Sequence, residues 1–156
     1  MKVRRRGELI RLRLEPVEVA LLTRLFDELD ELMNDPAGAD DPVQRRLFPA
    51  GYRDDDEAEA EFRSLTELTL RGERSERASR CAAELAEQHG DLEITDEAGQ
   101  RWIQVLNDLR LALGTRLEVS EEDGPEIDPD DPLAEQRAIY YWLTAVQDSL
   151  VVTLMG

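Results

Sequence analysis

The sequence predicts a mainly α protein, a compact bundle of about five helices with a small N-terminal β-hairpin. Three observations carry that prediction. Apolar residues recur at three- and four-residue intervals in several long stretches, the spacing that lines one face of an α-helix. Polar and apolar residues alternate through ELIRLRL at residues 8–14, a period of two that belongs to a strand. Clusters of Gly, Pro and Asp punctuate the chain between these stretches and supply its turns.

In the N-terminal segment Gly7 turns a short hairpin, and Ile10, Leu12 and Leu14 face inward while Leu9 and Arg11 face outward. Pro16 suits the first turn of a helix, where its missing N–H has no partner to lose. Leu22, Leu25, Phe26, Leu29, Leu32 and Met33 then form one apolar stripe, which stops near Asn34 because Asp35-Pro36-Ala37-Gly38 follows. The chain reads as loop through Asp41-Pro42 to RRLFP at 45–49. Asp54, Asp55 and Asp56 favour the N-terminus of a second helix through the helix dipole; its stripe is Ala58, Phe62, Leu65 and Leu68 or Thr69, and it ends near Arg71-Gly72. A third helix runs from about Ser75 to His89, with Ala78, Cys81, Ala82 and Leu85 on one side and Gly90 as its stop; the alternative is one continuous helix through Gly72.

Thr95 caps a fourth helix, supported by Asp96 and Glu97, and Gly114 marks its far end. Ala98, Trp102, Val105 and Leu109 make one apolar row, and Ile103, Leu106 and Leu113 a second, so this helix is expected at the centre. EEDGPEIDPDD at 121–131 has acids and prolines without an apolar period and reads as a flexible acidic loop. Asp131-Pro132 opens the last helix, with Ile139, Trp142, Leu143, Val146 and Leu150 on its buried side. There is no internal repeat.

The length of 156 residues suits a single domain over 1–156. With 36 acidic against 19 basic residues, the net charge of −17 repels a phosphate backbone, so direct nucleic-acid binding is disfavoured. The local exception is the start of the chain, where Lys2, Arg4, Arg5, Arg6, Arg11 and Arg13 reverse the sign. They belong either to a solvated hairpin docked on its own acidic body or to a surface that meets an acidic partner. The most apolar stretch, Ile139 to Met155, is interrupted by Thr144, Gln147, Asp148 and Ser149 and does not read as a membrane span. No apolar run of signal-peptide length opens the chain, so a cytoplasmic location is expected.

No catalytic residue, metal site or cofactor is predicted. His89 is the sole histidine, Cys81 the sole cysteine, and no G-x-S-x-G elbow or phosphate-binding glycine loop is present. The acidic loop lacks the alternating ligands of a calcium-binding helix-loop-helix. Cys81 falls on an apolar stripe and reads as a small core residue; as a redox sensor it would need exposure and thiolate character, with Arg77 and Arg80 as the cations to lower its pKa. Arg63, Glu67 and Arg71 are spaced as a helical charge ladder, which serves helix stability at about 0.2 to 0.5 kcal/mol per pair or a preorganised surface for a partner.

Four separated segments, RLFP at 46–49, EFRSLTELTLR at 61–71, LNDLRLALGTRL at 106–117 and YWLTAVQDSLV at 141–151, resemble in the same order an actinobacterial domain-of-unknown-function family described as oxidative-stress transcriptional regulators, AosR-like. The resemblance spans nearly the whole chain. It implies a non-enzymatic regulator that acts through a protein partner, a stress sigma factor or RNA polymerase, and raises expression of genes for cysteine and low-molecular-weight thiol production. The family's redox switch uses an intrachain cysteine pair; here Cys81 stands alone, with Arg71 and Asp91 ten residues to either side. The matching residues Arg46, Phe48, Pro49, Glu61, Arg63, Thr66, Glu67 and Arg71, with Asn107, Arg110 and Arg116, either bind the partner or hold the helices together. Two rival functions fit the same composition: an adaptor or accessory protein in intracellular proteolysis, and a homo-oligomeric structural protein.

Overall fold

The hairpin forms where the alternation places it, and a third strand joins it. The computed structural model describes residues 1–34, 56–117 and 129–156, with the helix backbone alone over 56–64 and at 66 and 67. Strand β1 (Lys2–Arg6) pairs antiparallel with β2 (Leu9–Arg13), and β2 pairs antiparallel with β3 (Asp91–Ile94). Gly7 has φ 63° while Glu8 keeps a negative φ, the pattern of a two-residue type II′ turn that suits the right-handed twist of the strands. On the central strand Ile10 and Leu12 are buried, and their partners Ile94 and Leu92 on β3 are buried beside them. Sequence reading missed β3 because DLEI offers only two alternations between a helix stop and a helix cap, too short a pattern to stand out.

Four helices, not five, stand among the described residues: α1 (Pro16–Met33), α2 (Asp56–Glu87), α3 (Asp96–Leu117) and α4 (Ala134–Met155). The predicted second and third helices are one, continuous through Gly72. That glycine costs about 1 kcal/mol relative to alanine, too little to break a helix that Arg71 ties to α1 and Arg74 ties to α3 on either side of it. A left-handed pair, His89 at φ 51° and Gly90 at φ 81°, then turns the chain from α2 into β3. The Gly90 carbonyl accepts the Leu14 amide at 2.8 Å, and a Cβ at Gly90 would lie 2.6 Å from Cγ2 of Val19. Gly114 is no stop either: α3 runs on to Leu117, and Gly114 admits the Tyr140 ring of α4, whose Cε2 would stand 3.0 Å from an added Cβ.

The ends of the helices are fixed by side chains. Thr95 Oγ1 accepts the Ala98 amide at 3.1 Å, the expected cap of α3. Asp131, the last residue of the predicted acidic loop, is tied to α4: it accepts the Leu133 amide at 2.9 Å and Arg137 Nε at 2.8 Å. Residues 121–128 of that loop lie outside the described residues. At the start of α1, Glu18 accepts the Glu15 amide at 2.8 Å through Oε1, while Oε2 accepts Trp142 Nε1 of α4 at 2.9 Å and the Met1 amino group at 3.0 Å. Partial burial pushes the Glu18 carboxyl upward, but these hydrogen bonds and the amino-group charge outweigh it and hold the group below its ordinary value.

Helix α3 is central, as its two apolar rows require. Trp102 is 1% exposed and meets Phe26 of α1 edge-on, with ring centroids 5.8 Å apart. Val105 and Leu109 of the same row and Leu106 of the second share one core with Leu143, Val146 and Leu150 of α4 and Ala78, Cys81 and Leu85 of α2. No helix of the described residues is long and apolar enough to cross a membrane.

Two outcomes follow from these contacts. Gly90→Ala puts a methyl group against Val19 at a left-handed position, so chemical denaturation should show a loss of about 1 to 3 kcal/mol. Glu18→Gln should cost about 1 to 3 kcal/mol at neutral pH. The folded pKa of Glu18 is depressed, so its contribution is present above the ordinary carboxylate range and is lost as pH falls through the folded value. Urea midpoints measured from about pH 6 down to about pH 3 should therefore fall more steeply for the parent chain than for the variant.

Candidate functional site: the charged seam around Cys81

Two polar links join α2 to α3, and Cys81 lies between them along α2. Toward the N-terminal side, Arg74 pairs with Asp108, which is 4% exposed. Toward the C-terminal side, Glu84 pairs with Arg101 through Oε1 and accepts the Trp102 indole N–H at 3.1 Å through Oε2. Burial raises the Asp108 carboxyl above its ordinary value even though Arg74 and Arg77 oppose the shift. Its second oxygen, Oδ2, makes no hydrogen bond among the described residues.

Cys81 is fully buried, and its thiol pKa is pushed up to about 12. Burial is the main cause; Arg101, Arg80 and Arg77 pull the other way, and Glu84 adds to the rise. The cations foreseen from the sequence, Arg77 and Arg80, thus act on the thiol, but desolvation of the thiolate outweighs them. Peroxides and disulfides react with the thiolate. Chemistry at Sγ in this conformation is therefore closed on two counts, access and ionisation, and it requires α2 to part from α3.

Of the residues singled out as partner contacts, the side chains of Arg71, Asn107, Arg110 and Arg116 fall among the described residues. Arg46, Phe48 and Pro49 lie outside the described residues, as do the side chains of Glu61, Arg63, Thr66 and Glu67, and with them most of the charge ladder. Arg71 donates to the carbonyl of Met33 at 2.7 Å, satisfying a terminal carbonyl of α1 and tying α2 to it. Arg110 bonds Thr144 Oγ1 at 2.9 Å and Gln147 Oε1 at 2.5 Å, and lies 5.5 Å from the centre of the Tyr140 ring, so it fastens α3 to α4. Asn107 is half-buried on α3. Arg116 is exposed and lines, with Glu28 and Glu31, a groove of about 470 Å³ between α1 and α3.

Sequence reading passed over Arg74, Glu84, Arg101 and Asp108. The signal for Asp108 was present: it interrupts the apolar rows between Leu106 and Leu109, where an acid needs a cation from another element. The identity of that cation, 34 residues away, has no local signature.

Residues 1–154 match DUF2017, a domain of unknown function. The chain belongs to this family. Among relatives in the family, the oxidative stress regulator AosR of Mycobacterium tuberculosis is 32% identical over 185 residues, covering 97% of this chain and 85% of that protein. The Mycobacterium bovis protein of the same name shows the same identity and coverage. A Mycobacterium leprae relative is 32% identical over 174 residues, with 90% of this chain and 80% of its own length covered. No solved structure matches the chain.

The seam makes one outcome measurable. At pH 8 a thiol of pKa about 12 is ionised in only about one molecule in ten thousand, before access is considered. Labelling of Cys81 by a disulfide reagent should be at least about a hundredfold slower in the native chain than in urea. Equal rates in the two states would show that the seam opens freely.

Proposed function

We propose that this chain is a non-enzymatic regulator of the oxidative-stress response that works in transcription through protein contacts. Its partner is a stress sigma factor or RNA polymerase, and its output is thiol and cysteine metabolism. The observation that carries the reading is 32% identity over 97% of the chain to a protein named oxidative stress regulator. The family resemblance supplies the sigma factor and the thiol genes as the finer terms of the proposal.

The environment of Cys81 supports one version of such regulation over another. A single buried thiol cannot form the intrachain disulfide of the family's switch, so control passes through engagement of the partner or through opening of the α2–α3 seam.

Affinity capture of the full chain from cells before and after peroxide treatment, followed by reconstitution with purified sigma factor and RNA polymerase, tests the reading. The expected result is a complex with an RNA-polymerase-associated protein whose amount changes with oxidant. Absence of that complex under both conditions overturns the transcriptional role. In the same assay, Cys81→Ser that folds and still responds to oxidant removes Cys81 as the sensor; loss of the response with binding retained establishes it.

A further inference from the structure

On the solvent face of the sheet, like charges stand directly opposite each other: Lys2 faces Arg13, and Arg4 faces Arg11. Such pairs destabilise an antiparallel ladder, whereas opposite charges at the same positions would stabilise it. Acids are not scarce in a chain of net charge −17, and part of the strip is neutralised from within. Arg11 makes a two-pronged contact with Asp91 at 2.8 and 2.7 Å, Arg6 reaches Glu93 at 3.0 Å, and Arg5 turns away to Asp96 and the Thr153 carbonyl. Lys2 and Arg4 make no ion pair among the described residues, and Arg13 acts on Asp91 only at longer range. Lys2, Arg4, Arg11 and Arg13 together surround a shallow hollow of about 120 Å³.

Among the described residues the same strand is an open edge. In the order β1-β2-β3, β1 is outermost, and four of its five residues are exposed. The two-residue turn makes Arg6 and Leu9 a hydrogen-bonded pair, so Arg6, Arg4 and Lys2 direct their main-chain groups to β2. Val3 and Arg5 then direct theirs outward, and among the described residues neither takes part in a backbone hydrogen bond outside the sheet. An open, charged edge is both protected from self-pairing and suited to a strand of opposite charge.

We infer that β1 receives an extended acidic segment of a partner protein, which adds to the sheet as a fourth strand and lays alternate carboxylates beside Lys2 and Arg4, with Arg11 and Arg13 behind them. The period of two places every second side chain of such a segment on the basic face. A nucleic acid is the poorer occupant, because Asp91 and Glu93 border the strip on β3 and the rest of the chain repels phosphate. The inference rests on the protein-contact reading of function and names the chemistry of the contact.

Fluorescence anisotropy with the full chain and a short labelled peptide bearing Glu at every second position tests it. Saturable binding is expected. It should weaken about tenfold in Lys2→Glu/Arg4→Glu, and a similar amount when a central residue of the peptide is replaced by proline, which cannot donate to the edge. Arg24→Glu, on the exposed side of α1, should leave binding unchanged. No saturable binding, equal binding by the double variant, or tighter binding of a single-stranded oligonucleotide of equal charge overturns the inference. Failure here with polymerase capture intact sinks the strand contact alone, and peptide binding without polymerase capture sinks the transcriptional reading alone.

Discussion

Each tryptophan of this chain donates its indole N–H to a glutamate on another helix, and each of those glutamates is held by a cation. Trp102 gives its proton to Glu84, which Arg101 holds; Trp142 gives its proton to Glu18, which the amino terminus holds. Burying a large side chain favours folding by about 1.5 to 3 kcal/mol, but an indole N–H left dry costs about 1 to 3 kcal/mol. A carboxylate accepts the proton well, and then itself needs a positive charge in a partly buried site. The same solution therefore fixes two seams, α2 to α3 and α1 to α4. Arg71 and Arg110 fix two more, α1 to α2 and α3 to α4, by donating to oxygens of the neighbouring helix. In a chain with nearly twice as many acids as bases, the cations decide which helices meet.

That arrangement sets the terms for Cys81. Its sulfur sits one turn from Glu84 and is felt by Arg101, so the groups that hold Trp102 also define the thiol's surroundings. Exposing the sulfur means opening the core that it shares with Trp102. Oxidation at this position is thus tied to opening the core, unlike a surface thiol whose reaction leaves the fold untouched.

The helix faces were legible because Leu22, Phe26, Leu29 and Met33, or Trp102, Val105 and Leu109, repeat at the period of the helix itself. Gly114 was misread as a stop, and Gly72 was left open between a break and a continuous helix, for the same physical reason. Gly72 and Gly114 carry only a local cost of about 1 kcal/mol each, and packing along the rest of their helices exceeds it. Gly114 even contributes to that packing, through Tyr140. Arg71 and Arg110 matched the family at polar positions, and a polar match is the same letter whether it bonds a carbonyl of the next helix or a partner. Only the Met33 carbonyl at 2.7 Å and Thr144 at 2.9 Å distinguish the two uses. The Arg74–Asp108 and Arg101–Glu84 links were illegible because they are pairings between elements, and periodicity speaks only of one element at a time.

The hairpin remains as the place where stability does not account for the residue types. Its inner face had to be apolar, and Ile10 and Leu12 meet that demand. Its outer face had only to be polar, which Thr or an alternation of Glu and Arg would satisfy with favourable cross-strand pairs. Instead Lys2, Arg4, Arg6, Arg11 and Arg13 gather there, on a molecule whose net charge is −17. Such a separation of charge gives the molecule a strong electrostatic polarity and turns the sheet toward an approaching acidic segment before contact. Steering of this kind acts on the rate of encounter and weakens as salt rises, whereas main-chain pairing along an open edge acts on the lifetime of the complex. In the inferred contact the basic face of β1 and its edge, open among the described residues, therefore perform separable tasks on one strand, the first selecting charge and the second requiring an extended backbone.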